Sequence, residues 1–137
     1  MMNFTLSNQV QIPAVGIGTF MMTPDQAEQA VVDALACGYR MIDTAQAYYN
    51  EEGVGAAISN SGIPREELFL TTKVWITNAG YEKAKASIEE SLKKLKTDYI
   101  SHFPNFQLSP GGPPPTLQVP PVAYYFPCGV HAALFLV

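Results

Sequence analysis

Tyr39-Arg40-Met41-Ile42-Asp43-Thr44-Ala45-Gln46-Ala47-Tyr48-Tyr49-Asn50-Glu51-Glu52 decides how the rest of the chain is read. Residues 39–43 form a short, mostly apolar run that ends in an aspartate. That is the pattern of a buried strand delivering a carboxylate to its C-terminal end. A loop carrying two tyrosines follows. Asn50 can then cap a helix, with Glu51 and Glu52 in the first turn, where negative charge suits the helix dipole. Val54, Ala57 and Ile58 mark the buried side of that helix, and Ser61-Gly62 ends it.

The same alternation extends in both directions. Upstream, Ala14-Val15-Gly16-Ile17-Gly18-Thr19-Phe20 reads as a buried strand running into a loop. Its Gly16-x-Gly18 is a weak dinucleotide fingerprint, because Met21 stands at the third glycine position. Close backbone approach explains these glycines better. Thr23-Pro24-Asp25-Gln26 carries a helix start: a capping threonine, proline at the first helical position, and a glutamine that completes a capping box. Ala27, Ala30, Val31, Ala34 and Leu35 then keep the rhythm of a one-sided helix, and Gly38 stops it. Cys37, beside that glycine, reads as a small buried hydrophobe. Still further upstream, Phe4-Thr5-Leu6 and Val10-Gln11-Ile12 around Ser7-Asn8-Gln9 predict a β-hairpin.

Downstream, residues 68–73 form a second strand that delivers Lys73 as the first delivers Asp43. A helix over about residues 81–95 places Ala84, Ile88, Leu92 and Leu95 on one face. Thr97-Asp98-Tyr99-Ile100 reads as the start of a fourth strand. Strands alternating with one-sided helices imply parallel βαβ units, in either a doubly wound sheet or part of a barrel.

Composition divides the chain near Ile100. All eight Lys and Arg and all twelve Asp and Glu lie before residue 101, whereas eight of the eleven prolines and both histidines lie after it. We therefore read residues 1–100 and 101–137 as separate portions, the second an irregular, proline-rich tail. Its last 16 residues are apolar but interrupted, and fall short of the ~20 that a membrane helix needs. The net charge of −4 gives no reason to expect nucleic acid or an anionic membrane as partner. Cys37, Cys128, His102 and His131 lack zinc spacing and form no disulfide framework, so no metal is expected. The N-terminus carries no secretory pattern, which makes the cytoplasm the expected compartment.

The first 100 residues resemble the aldo-keto reductase family. The matching blocks are Ile12 to Phe20, Gly38 to Ala45, Tyr48 to Gly55, Gly62 to Trp75 and Ser91 to Ile100, and the stretch they mark out covers about three-quarters of the chain. The resemblance implies the N-terminal portion of a (β/α)8 TIM barrel, incomplete here, with the hairpin closing its bottom. At 137 residues the chain is shorter than the ~250 of a typical complete barrel. It also implies NADPH-dependent reduction of a small carbonyl substrate. By motif position, Tyr48 would be the proton donor, with Lys73 beside it and Asp43 holding the lysine. An ammonium next to a phenol favours the phenolate, which makes the phenol a better acid. Gly18, Thr19, Phe20 and Asp43 would lie near the nicotinamide and its ribose. Trp75, just past Lys73, is placed either to line a substrate mouth or to serve packing, and motif spacing favours Tyr48 over Tyr49 as the acid.

One departure is specific. The family pattern calls for a histidine at position 106, which here is Phe106. His102 is four residues short of it, about 13 Å along a strand at ~3.3 Å per residue. We therefore expect a truncated, inactive reductase whose residues 101–137 come from a shifted frame, a mis-spliced end or a gene-model error. The non-enzymatic alternative is a fragment that binds protein, with self-association through its open sheet edges, or one with no function.

Overall fold

The computed structural model describes residues 2–102 and two short strands at 123–125 and 131–133. The hairpin forms where its sequence indicates: β1 (Asn3–Thr5) pairs antiparallel with β2 (Gln11–Pro13), setting Phe4 opposite Ile12. Three parallel strands follow, in the order β3 (Ile17–Gly18), β4 (Met41–Asp43) and β5 (Phe69–Thr71). The register brings Gly18, Asp43 and Thr71 level across the sheet.

Helix α1 (Pro24–Ala36) begins with the expected capping box: Thr23 accepts from the Gln26 amide, and the Gln26 side chain accepts from the Thr23 amide. Its buried stripe is Ala27, Val31, Ala34 and Leu35, and Gly38 takes a left-handed φ of 92° just beyond its end. Cys37 corrects the sequence reading, because it is exposed. The helical step that buries residues 27, 31, 34 and 35 carries position 37 off that stripe.

Helix α2 (Glu51–Asn60) packs against both its neighbours through glycine. A Cβ on Gly53 would run into the Pro24 carbonyl oxygen at the start of α1. One on Gly55 would run into the Lys94 carbonyl oxygen at the end of α3 (Tyr81–Lys94). Ile17, Ile42 and Leu70 from the three strands meet Val31, Leu35, Val54, Ile58 and Leu95 in one core. Each such side chain contributes roughly 1.5–3 kcal/mol when fully buried. A second, smaller cluster joins Ile12 of the hairpin to Met41 and Phe69, the first residues of β4 and β5. The hairpin thus covers the N-terminal ends of the strands, opposite the ends that carry Asp43 and Lys73.

The predicted start of a fourth strand at residues 97–100 is not a strand. Arg65 captures this segment instead: its Nε donates to Thr97 Oγ1, its Nη2 to the Tyr99 carbonyl and its Nη1 to the Leu68 carbonyl, while its guanidinium lies over the Tyr99 ring. Burial pulls the Arg65 pKa down from its usual value, with Tyr99 and Asp98 acting the other way. Parallel pairing with β5 begins later, where the Ser101 amide donates to the Leu70 carbonyl and His102 bridges to Thr71. The tail reading also needs correction in part: β6 (Ala123–Tyr125) and β7 (His131–Ala133) pair antiparallel. Aromatic residues suit strands, and Pro127 and Gly129 lie between the two. Phe106 and the rest of the tail lie outside the described residues.

The described residues give an open α/β arrangement of three parallel strands and three helices, not a closed barrel.

Candidate active site

Strand alternation brings the candidate residues together. Asp43 ends β4, and Lys73 lies two residues past Thr71 at the end of β5, so both emerge at the same end of the parallel sheet. Lys73 Nζ donates to both carboxylate oxygens of Asp43 at 2.7 Å and to the Thr44 carbonyl at 3.1 Å. Thr71 Oγ1 donates to Asp43 Oδ1 at 2.5 Å. The pair is largely withdrawn from solvent, with side-chain exposures of 17% for Lys73 and 14% for Asp43. The Lys73 ammonium therefore has a fixed direction.

Tyr48 closes a 3-10 turn (Gln46–Tyr48) directly after β4. Its ring centroid is 5.3 Å from Lys73 Nζ and 5.1 Å from the Phe20 ring, which meets it at a tilt of 59°. Tyr49 takes a left-handed φ of 53° and is 81% exposed, so the backbone turns it away. Spacing thus selected the tyrosine that stands beside the ion pair. Trp75, 39% exposed, follows Lys73 in the next loop.

Of the residues expected near a cofactor, Gly18 is level with Asp43 in the sheet and Phe20 is exposed beside Tyr48. Thr19, between them, turns its side chain inward. It is wholly buried, and its hydroxyl is shared between Thr44 Oγ1 and Asn50 Oδ1. Its amide donates to the Asp43 carbonyl, and its own carbonyl accepts from Asn50 Nδ2. The side chain is spent inside the protein and holds the loop.

Three residues escaped the sequence reading of the site. Asn50 makes no side-chain cap; it is wholly buried, donating to the Thr19 and Met22 carbonyls and accepting from Thr19 and Thr44 hydroxyls. Glu51 stands in the first turn of α2, as expected for the dipole, but faces inward. Its carboxylate accepts from Thr72 Oγ1 at 2.7 Å and from Ser91 Oγ at 3.2 Å. Gln46 ties the tyrosine turn to α3 and to the loop after β5. Their positions beside the tyrosine loop were the only local signal, since most of their partners lie far along the chain.

Among the described residues, no group of three or more His, Cys, Asp or Glu could hold a metal ion, and no helix is long and apolar enough to cross a membrane.

The sequence pattern of the aldo/keto reductase family matches residues 14–106. The chain belongs to this family. It is 51% identical over 98 residues to the methylglyoxal reductase DkgB of Salmonella typhimurium, covering 69% of this chain and 37% of that relative. The aldo/keto reductase of Brucella melitensis superposes with a TM-score of 0.75 at 46% identity, over 76% of this chain and 40% of the other. The aldo-keto reductase of Bombyx mori, solved in complex with NADP, superposes with a TM-score of 0.71 at 38% identity, over 74% of this chain and 36% of the other. The chain thus spans little more than a third of the length of such aldo/keto reductases, whose fold is the (β/α)8 barrel.

Proposed function

We propose that residues 17–75 carry the proton-donor half of an NADPH-dependent reduction of an aldehyde or ketone to an alcohol. The observation that carries this reading is the Lys73 ammonium, held by both oxygens of Asp43 and directed at the Tyr48 ring. Tyr48 would give its phenolic proton to the substrate carbonyl oxygen. Lys73 would stabilise the phenolate left behind by Coulomb attraction across a site partly shielded from water. Asp43 would keep the ammonium in place and aimed.

The residues present fit the nicotinamide end of the cofactor. Among the described residues Asp43 Oδ2 accepts from Lys73 alone and keeps acceptor capacity for a ribose hydroxyl. Phe20 offers an exposed aromatic face beside Tyr48. When bound, NADPH supplies the hydride that the carbonyl carbon accepts. Trp75 would border the substrate. The name of the Salmonella relative makes a small dicarbonyl such as methylglyoxal the first substrate to assay.

We further propose that the 137-residue chain alone does not turn over. This rests on Phe106 standing where the family pattern calls for histidine and on the share of its relatives that the chain spans. NADPH oxidation with methylglyoxal tests it, and steady turnover by the isolated chain would overturn it. The role of Tyr48 is tested separately, by joining residues 1–100 to the remainder of the Salmonella relative. That chimera is expected to reduce methylglyoxal, and Tyr48→Phe to lower kcat by about 10²-fold or more, the usual contribution of a general acid. A chimera that binds NADPH and reduces methylglyoxal as well with phenylalanine as with tyrosine would remove Tyr48 from the mechanism.

A further inference from the structure

Gln46 is half-buried at the start of the tyrosine turn, and its amide is fully used. Oε1 accepts from the Trp75 backbone amide at 2.8 Å and from Asn78 Nδ2 at 3.1 Å. Nε2 donates to the Ser87 carbonyl and to Ser91 Oγ, both at 3.1 Å. Two lone pairs and two N–H groups are the whole capacity of a primary amide. The Gln46 backbone amide adds a bond to the Lys73 carbonyl at 3.2 Å. One residue therefore joins the turn bearing Tyr48, the end of β5 bearing Lys73, the loop bearing Trp75, and α3.

Among the described residues, few other hydrogen bonds fix the loop over residues 74–79. It contains a single 3-10 turn (Ile76–Asn78), closed by its own bonds from the Asn78 amide to the Trp75 carbonyl and from the Ala79 amide to the Ile76 carbonyl. Trp75 and Ile76 are exposed. A turn closed only on itself can move as a unit, and Gln46 grips it at both ends, at Trp75 and at Asn78.

We propose that Gln46 is a positioning residue that clamps the 74–79 loop onto α3 and the tyrosine turn, and so sets where Trp75 stands beside the acid. The inference rests on the reading of Tyr48 and Trp75 as acid and substrate border, but its test needs neither substrate nor cofactor. Trp75 is the sole tryptophan of the chain, so its fluorescence reports on this loop directly.

Gln46→Ala is expected to raise the acrylamide quenching constant of Trp75 about twofold and shift its emission to the red, as a locally released loop would. Ile58→Ala is the control: it opens the core at the far end of α2 without touching the loop, and should leave native-state Trp75 quenching at the parent value. The inference fails if Gln46→Ala leaves quenching unchanged, or if Ile58→Ala raises it as much. Should Gln46→Ala not fold, hydrogen exchange in the parent chain decides. The Trp75 amide should be protected like the amides of β5, although it lies in a loop, and exchange at an unprotected rate would overturn the clamp. Because these readouts are taken without ligand, they stand apart from the outcome of the Tyr48→Phe chimera.

Discussion

Asn50→Ala should be among the most damaging single changes in the described structure. The Asn50 side chain donates to the Thr19 carbonyl at 2.7 Å and the Met22 carbonyl at 2.9 Å, and accepts from the hydroxyls of Thr44 at 3.1 Å and Thr19 at 3.2 Å. A neutral hydrogen bond contributes a net ~1 kcal/mol, so four give an upper figure of about 4 kcal/mol. Two partners recover something. The Thr19 and Thr44 hydroxyl oxygens are 2.9 Å apart and, once Asn50 no longer takes their protons, can bond each other; the Thr19 carbonyl keeps a longer bond from the Met22 amide at 3.3 Å. The Met22 carbonyl loses the side-chain donor with no such compensation. We therefore expect a loss of about 3 kcal/mol, which moves a urea midpoint down by about 1.5 M at a slope of ~2 kcal/mol/M. Asn50→Asp separates hydrogen bonding from packing, since its shape is the same. It removes both donors and sets a carboxylate oxygen against two carbonyl oxygens, so it should cost at least as much at neutral pH. Urea unfolding followed by circular dichroism measures both variants. A loss below about 1 kcal/mol for Asn50→Ala, or an Asn50→Asp variant as stable as the parent, would refute the reasoning.

Lys73→Met should destabilise by about 3 kcal/mol, because it leaves the Asp43 carboxylate shielded without its cation; adding Asp43→Asn should return part of the loss in a thermal double-mutant cycle. Gly53→Ala should cost about 1–3 kcal/mol in the same melts, since the new methyl meets the Pro24 backbone carbonyl, which cannot give way without moving α1. At the surface, the bond from Lys94 holds the Glu90 pKa below the ordinary carboxylate value. Its contribution is therefore present above the unfolded carboxylate pKa and fades as pH falls through the folded one. A carboxyl NMR titration should show Glu90 moving up toward that ordinary value in Lys94→Ala.

What was legible in the sequence was local. Thr23 and Gln26 are three residues apart, so their capping box can be read from spacing, and the same holds for the Gly38 stop and the stripe of α1. Asp43, Tyr48 and Lys73 were singled out through ordered motif blocks, and the structure pairs Lys73 with Asp43. Asn50 was misread and the burial of Glu51 missed because a polar residue at a helix start has an adequate local explanation. The sequence does not reveal that Thr19, Thr72 and Ser91 arrive from other elements to bury them. Gln46 went unnoticed for the same reason, with side-chain partners 29 to 45 residues away. The segment at 97–100 failed differently: its composition suits a strand, but Arg65, more than thirty residues earlier, takes the Tyr99 carbonyl that a ladder would have used.

Period-two alternation explains why the chemistry and its supports never compete for the same space. On β5, Phe69, Thr71 and Lys73 face one side, and Leu70 and Thr72 face the helices. On β4, Met41 and Asp43 share the first side, while Ile42 and Thr44 turn to the second. The ion pair therefore sits entirely on one face. Behind it, Thr44 joins the Asn50 cluster and Thr72 joins the Glu51–Ser91–Gln46 chain on the helix-covered face. A slip of one residue in β5 would exchange Lys73 for Thr72 beside Tyr48 and bury the ammonium against α2 and α3. The hydrogen bond from Thr72 to Glu51 resists that slip, as does the apolar row through Leu70. The two polar clusters thus hold the register that puts the ammonium beside Tyr48, and a change at Thr72 should reach the phenol without touching it.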